Sequence, residues 1–297
     1  MLRIIADSTC DISKEDARKM GIQIVPISVR FGDEEFLDGV EITHEEFYTR
    51  LAECDELPKT SQPSPDTFMK VFNEAVAAGD DVLGIFISSD LSGTYQSACL
   101  AALDVEEETR KKLYMVDSRS ASIGTALLIR EVVKLRDAGV NVSDIAAACT
   151  EMSKYIKLTA VVGSLKYLKM GGRLSGAAAF AGTMLHITPV VSIEDGKVVV
   201  IGKTRGKKAA EKLMHDKLIK DGLSLTRDFM FGHINCSESL ETFINKSLTY
   251  ISDVNGNVGV SSIGCSVGTH VGPGTYGIAY VEAAESGMNR ESIVKTA

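Results

Sequence analysis

Residues 82–94 read Val82-Leu83-Gly84-Ile85-Phe86-Ile87-Ser88-Ser89-Asp90-Leu91-Ser92-Gly93-Thr94. An apolar run without polar alternation stops at a row of small polar residues, and a helical segment follows from Thr94 to about Leu103. Both faces of such a run are buried, as in a strand of a parallel sheet. The same grammar surrounds it. Leu2–Ala6 halts at Asp7-Ser8-Thr9-Cys10-Asp11, and Leu113–Val116 halts at Asp117-Ser118-Arg119. Ile22–Phe31 is rich in β-formers and ends at a Gly32-Asp33 turn. Helices lie between these runs. Ser13-x-x-Asp16 opens one that Gly21 ends, Thr43-x-x-Glu46 starts another to about Cys54, and Ser64-Pro65 a third to about Ala78. Ala121–Ala138 and a segment capped by Ser143 and running to about Ile156 complete the set. Short apolar strands alternating with helices predict a mostly parallel, Rossmann-like α/β domain over residues 1–157.

After about residue 157 the pattern changes. Leu158–Val162 is a strand, and a short helix ends at Gly171-Gly172. Ile187–Ile193 and Lys197–Lys203 flank Asp195-Gly196, a strong hairpin signal. A basic helix covers Lys207–Lys220, then strand Phe229–Ile234, helix Glu238–Ile251, and strands Val258–Ile263 and Gly277–Val281. Hairpins with helices predict a second domain of α+β type over 158–284, with a polar tail at 285–297.

The chain has 297 residues, 44% apolar and 24% charged, a balance that excludes wholesale disorder. Its formal net charge of −8 argues against general nucleic-acid binding. Cys10, Cys54, Cys99, Cys149, Cys236 and Cys265 form no CxxC pair, and no export signal is visible at the N-terminus, so reduced cysteines and a cytoplasmic location are expected. Two stretches without formal charge, Leu174–Ile193 and Val258–Val281, contain too many glycine, proline and polar residues for an apolar spanning helix. His44, His186, His215 and His233 are scattered, and no metal centre is expected.

In a parallel α/β sheet, ligands bind beyond the carboxyl ends of the strands. The clusters at 7–11, 88–94 and 117–119 fall there, and Thr60-Ser61-Gln62-Pro63-Ser64 precedes a helix. Helix starts rich in hydroxyls are natural anion sites, although Ser, Thr and Asp also serve there as ordinary caps. A glycine-rich loop, Gly268-Thr269-His270-Val271-Gly272-Pro273-Gly274, places one histidine where it can donate to an anion or act as acid or base. Gly264-Cys265-Ser266-Val267-Gly268 matches the G-x-S-x-G elbow of hydrolases, but the downstream order of acid and histidine is wrong for that chemistry.

Together these motifs resemble the DegV family of bacterial lipid-binding proteins over residues 2–282. The resemblance rests on Asp7-Ser8-x-x-Asp11, Thr60-Ser61-Gln62-Pro63-Ser64, Ser88-Ser89-x-Leu91-Ser92-Gly93-Thr94-Tyr95, Val116-Asp117-Ser118, Gly171-Gly172-Arg173, and the His270 segment. It implies a long-chain fatty acid bound between the domains, with Thr60, Ser61, Ser92, Gly93 and His270 at its carboxylate. It also implies a separate ATP-dependent kinase subunit that holds Mg²⁺ and nucleotide, converts the carboxylate to an acyl phosphate and feeds phospholipid synthesis. On this view the chain is not an enzyme alone and carries no covalent cofactor. His270 and Arg205 would serve phosphoryl transfer, and Arg173, Lys203, Arg205, Lys207 and Lys208 would dock the kinase. Alternatives are a dihydroxyacetone-kinase-like protein acting on a small carbonyl compound, and a lipid-sensing regulator. The Ala-rich stretch Ala177–Leu185 is expected to line the lipid tunnel or to be an ordinary buried helix. Charge distribution fits a specific partner: residues 157–220 hold 12 basic and 4 acidic side chains, a local balance of +8 that suits a protein partner or an anionic membrane surface.

Overall fold

The computed structural model describes residues 1–54, 56–176, 187–222, 224, 226–250 and 256–283. The expected tail at 285–297 and the Ala177–Leu185 stretch therefore lie outside the described residues. The chain begins with β1 (Leu2–Asp7) and α1 (Lys14–Met20), whose N-cap Ser13 accepts from the Asp16 N–H at 3.0 Å and whose end is Gly21 at φ +62°. The β-rich run beyond it is two strands, β2 (Ile22–Val25) and β3 (Ser28–Phe31), in different sheets. The break falls at Pro26, which has no N–H to offer a ladder. After the Gly32-Asp33 turn come β4 (Glu34–Leu37), α2 (His44–Glu53), β5 (Lys59–Ser61) and α3 (Pro65–Ala77). Next are β6 (Asp81–Phe86), α4 (Thr94–Thr109), β7 (Leu113–Asp117), α5 (Ile123–Asp137) and α6 (Val142–Met152).

Two helix limits differ from the sequence expectation. α4 continues past Leu103 through Glu106-Glu107-Glu108, and the Glu106 carboxylate accepts from the Leu113 N–H at 2.6 Å, tying the helix end to the next strand. The cap of α6 is Asn141 rather than Ser143: Asn141 Oδ1 accepts from the Asp144 N–H at 3.0 Å, and Ser143 donates to that same oxygen. This helix stops at Met152, and Ile156 opens β8 (Ile156–Val161). The remaining elements are α7 (Lys166–Met170), β9 (Thr188–Glu194), β10 (Lys197–Thr204), α8 (Lys207–Asp221), β11 (Phe229–His233), α9 (Ser237–Tyr250), β12 (Val258–Ser262), α10 (Cys265–Val271) and β13 (Tyr276–Val281).

Three sheets result. The first is parallel, in the order β2-β1-β6-β7. The second is a small antiparallel sheet, β4-β3-β5. The third is six-stranded, β10-β9-β8-β13-β11-β12, antiparallel throughout except for the parallel β11–β12 pair. Strand order in the first sheet reverses between β1 and β6. Beyond their carboxyl ends lies the crevice that this topology opens to a ligand.

α5 joins the parallel and six-stranded sheets. Its Ala126, Leu127, Leu128, Ile129 and Val132 are fully buried, and it packs on β6 on one side and on β8, β11 and β13 on the other. One apolar cluster accordingly runs from Ile4 and Leu83 through Leu128 to Leu158 and Val191. A buried ionic group reinforces the junction. Glu131 of α5 accepts from Arg227 Nη1 at 2.7 Å, and Lys134 Nζ lies 2.6 Å from Glu131 and 2.8 Å from Asp228. Such a group is costly to break, because removing one partner strands a buried charge.

Candidate functional site

A cavity opens at the reversal point and continues between the sheets, with about 1070 Å³ of atom-free space including its mouth. Its wall is largely aliphatic. Ile27, Ile87, Leu91, Ala121 and Ile123 come from the parallel-sheet side, and Leu158, Ala160, Val162, Val191, Ile193 and Val198 from the six-stranded side. Thr60, Gln62, Ser92, Arg173 and His270 bring polar chemistry to the same wall.

Thr60, His270, Arg173 and Ser92 follow one another along this wall, and Gln62 bonds to Ser97 instead. Thr60 Oγ1 lies 2.9 Å from His270 Nε2. Behind the imidazole is Gly171, where a Cβ would stand 2.3 Å from His270 Nδ1, so only glycine admits the ring there. Arg173 Nη1 donates to the Gly171 carbonyl at 2.6 Å, and its Nε donates to the Leu91 carbonyl at 3.1 Å, next to Ser92. Ser92 Oγ meets Thr94 Oγ1 at 2.8 Å at the start of α4. Burial and the positive charge of Arg173 hold the His270 pKa down at about 4, so the ring is neutral at pH 7. Burial also pulls the Arg173 pKa down. A neutral imidazole bonded to a hydroxyl has two tautomers. In one, Thr60 donates to Nε2 and an Nδ1–H remains; in the other, Nε2–H donates and the Thr60 hydroxyl is released to donate elsewhere. His270 Nδ1 is buried with no hydrogen-bond partner among the described residues, as is Ser266 Oγ one helical turn earlier. The second tautomer leaves the Thr60 hydroxyl free to donate to an anion in the cavity, whereas Nδ1 lies buried against Gly171.

Several expected residues are placed differently. His270 is not in a loop: it occupies the last turn of α10, and the loop begins at Gly272, φ +73°. Ser61 is exposed on β5 and is absent from the cavity wall. Successive strand residues point to opposite faces, so Thr60 turns inward and Ser61 outward. Gly93 does not border the cavity either. Its missing Cβ makes room for Gln62, since a methyl there would sit 2.1 Å from Gln62 Oε1, and Gln62 in turn donates to Ser97 Oγ at 2.9 Å. Arg173, expected at a docking surface, is on the cavity wall beside His270. Lys203, Arg205, Lys207 and Lys208 are exposed around the end of β10 and the first turn of α8, away from the cavity lining.

Sequence reasoning missed Gln62, Thr9, Ser122 and Ser266 as wall residues. Ser266 carried a signal: with Val267, His270 and Val271 it makes an i, i+1, i+4, i+5 set, one face of a helix. Its G-x-S-x-G context forms no strained elbow, for Ser266 is the second residue of an ordinary helix. Ser122 is the strained one, at φ +53°, ψ −134°, held there by its hydroxyl on Asp11 and its N–H on the Thr9 carbonyl. One set of potential metal ligands occurs among the described residues: Asp38, His44 and Cys265 bring donor atoms within 4.8 Å of one another. The Asp38 oxygens already accept three hydrogen bonds, two of them from the N-terminus of α10, whose partial positive charge opposes a cation.

Comparison with known proteins bears on this architecture. A family model described as "Uncharacterised protein, DegV family" matches residues 1–283. A DegV domain-containing protein of Clostridium perfringens is 34% identical over 290 residues, covering 95% of this chain and 98% of the relative. Among solved structures, a fatty-acid-binding DegV family protein from Thermus thermophilus superimposes with a TM-score of 0.84 at 30% identity, covering 95% of this chain and 99% of that one. DegV of Bacillus subtilis, a fatty acid binding protein, gives 0.82 at 28% identity over 95% and 99%. A stearic-acid-binding protein from Eubacterium ventriosum gives 0.80 at 28% identity over 95% and 98%. The likeness spans nearly the whole of the described chain, and this chain belongs to the DegV family.

Proposed function

We propose that the chain binds a long-chain fatty acid in the inter-sheet cavity, with its carboxylate at Thr60, Ser92 and His270, and presents it to a separate ATP-dependent kinase subunit. The observation that carries this reading is the composition of the wall, in which aliphatic side chains from two sheets meet a hydrogen-bonded hydroxyl–imidazole pair, a second hydroxyl and a guanidinium. Each CH₂ buried against such a wall contributes about 0.8 kcal/mol, so a long tail supplies most of the affinity. Hydroxyl and imidazole donors orient the carboxylate, and Arg173 offsets its charge. That wall gives a small polar carbonyl compound few partners, which disfavours the dihydroxyacetone-kinase-like alternative. The solved relatives that bind fatty acids support the same choice of ligand.

In the kinase step, a carboxylate oxygen attacks the γ-phosphorus of ATP, the new bond is C–O–P, and ADP leaves. Mg²⁺ and nucleotide belong to the partner. This chain holds the nucleophilic carboxylate in place and keeps the rest of the acyl chain out of water, and the acyl phosphate then enters phospholipid synthesis in the cytoplasm. Lys203, Arg205, Lys207 and Lys208 fit the docking role. They cluster where the positive end of the α8 dipole adds to their charge, a surface suited to an acidic partner or to transient contact with an anionic membrane. Arg205 stands outside the cavity lining, on the exposed basic surface that fits the docking role.

The test is mass spectrometry of an organic extract of the purified protein, with titration of wild-type and Thr60→Ala protein by a long-chain fatty acid. Extracted lipid and weaker binding by the variant support the reading; no lipid and no uptake by either protein refute it. Charge reversal by Lys207→Glu with Lys208→Glu is expected to slow kinase association and leave fatty-acid affinity unchanged, and equal loss of both would show the patch to be structural.

A further inference from the structure

α10 is seven residues long, yet it carries Ser266, Val267, His270 and Val271 onto the cavity wall. Its own N-cap position is Gly264, which has no side chain to cap with. The cap comes from far away in sequence. Asp38, directly after β4, accepts from the Cys265 N–H at Oδ1 (3.2 Å) and from the Ser266 N–H at Oδ2 (3.0 Å). At the other end of the same helix, Thr60 of β5 meets His270 Nε2 at 2.9 Å.

Both ends are therefore gripped by one rigid piece. β3 pairs with β4 on one side and with β5 on the other, so Asp38 and Thr60 are fixed relative to each other by the small sheet. Asp38 is itself pinned: its N–H donates to the Ile27 carbonyl at 2.9 Å, and Ser8 Oγ donates to its Oδ2 at 3.1 Å. The approach to α10 is held in the same way, with Asp11 Oδ1 accepting from the Gly264 N–H at 2.9 Å and the Tyr48 hydroxyl donating to the Ile263 carbonyl at 3.0 Å. A carboxylate at a helix N-terminus is stabilised by the dipole and by its charge-assisted hydrogen bonds, and Asp38 is buried there, at 4% exposure.

We propose that Asp38 is a positioning residue for His270: by capping α10 from the small sheet, it fixes the helix at the height where its histidine meets Thr60 and faces the cavity. The placement of His270 stands independently of the ligand; only its consequence for affinity rests on the fatty-acid reading.

The experiment follows the His270 imidazole by NMR titration in the ligand-free full chain, for wild type, Asp38→Asn, Thr60→Val and the double variant. Ser8→Ala, which removes a single donor to Asp38, gives a milder version should Asp38→Asn fold poorly. Removing the negative charge of Asp38 would by itself push the His270 pKa further down. Release of the ring from its buried seat pushes it up, from about 4 toward the ordinary value of 6.5. An upward shift in Asp38→Asn, smaller in Ser8→Ala, is therefore the expected result and reports movement rather than lost charge. The Asp38→Asn and Thr60→Val shifts are expected to be non-additive, because both release one ring. An unchanged or lowered pKa in Asp38→Asn, or strict additivity, overturns the proposal even if the melting temperature falls. In parallel, Asp38→Asn is expected to weaken fatty-acid binding about tenfold, the size of one misplaced charge-assisted hydrogen bond. A raised His270 pKa in a protein whose wild type takes up no fatty acid leaves the positioning role standing and removes the ligand reading instead.

Discussion

Acidification offers a direct measurement of how deeply His270 is held. Its pKa lies near 4 in the folded chain, against 6.5 for the free side chain, because burial and Arg173 both penalise the imidazolium. The unfolded chain consequently binds the proton more readily than the folded one between those values. Stability from this group is complete above pH 6.5, is lost as pH falls toward 4, and changes no further below. A shift of that size corresponds to about 3 kcal/mol, at 1.36 kcal/mol per pKa unit. Urea unfolding of wild type and His270→Gln from pH 7.5 to 4, without fatty acid, isolates the contribution, since every other titrating group is common to both. The wild-type curve is expected to lose about 3 kcal/mol relative to the variant across that interval. Parallel curves would mean that His270 titrates normally and that the buried hydroxyl–imidazole pair is wrong.

Two further outcomes follow from the same geometry. Gly171→Ala places a methyl against His270 Nδ1, at 2.3 Å before relaxation, and is expected to dislodge the ring from Thr60; fatty-acid affinity measured by titration should fall at least tenfold, about 1.4 kcal/mol, with a smaller loss of thermal stability. Arg227→Met strands one oxygen of the buried Glu131 carboxylate at the junction of α5 and β11, and chemical unfolding should register a loss of about 3 kcal/mol.

Much of the fold was legible in local chemistry. Ser13, Thr43 and Ser64 each cap the helix their sequence announced, because a hydroxyl that accepts a nearby N–H is a local device. Asp195-Gly196 joins β9 to β10 for a similar reason, both residues taking positive φ. Asn141 and Ser143 show the limit of that reading: two capping residues stand two positions apart, and only the backbone decides which one caps. His270 shows a different limit. Its glycines looked like a loop, but Gly268 lies inside α10, where its missing Cβ lets the Tyr48 hydroxyl approach; a methyl there would stand 2.2 Å from it.

The sequence by itself determined the strand–helix alternation and the change of architecture near residue 157, because periodicity, caps and turns act over a few residues; it offered Thr60, Ser92 and His270 as candidates through the resemblance of their motifs to the DegV family. Tertiary structure alone decided which neighbours of those residues face the cavity. Ser61 and Gly93 lost that place and Arg173, Gln62 and Ser266 gained it, through strand alternation, the room a glycine leaves and the face of a short helix. It also decided that Asp38 caps a helix more than two hundred residues away, a hydrogen bond that exists only once separate sheets have packed and that no local pattern encodes.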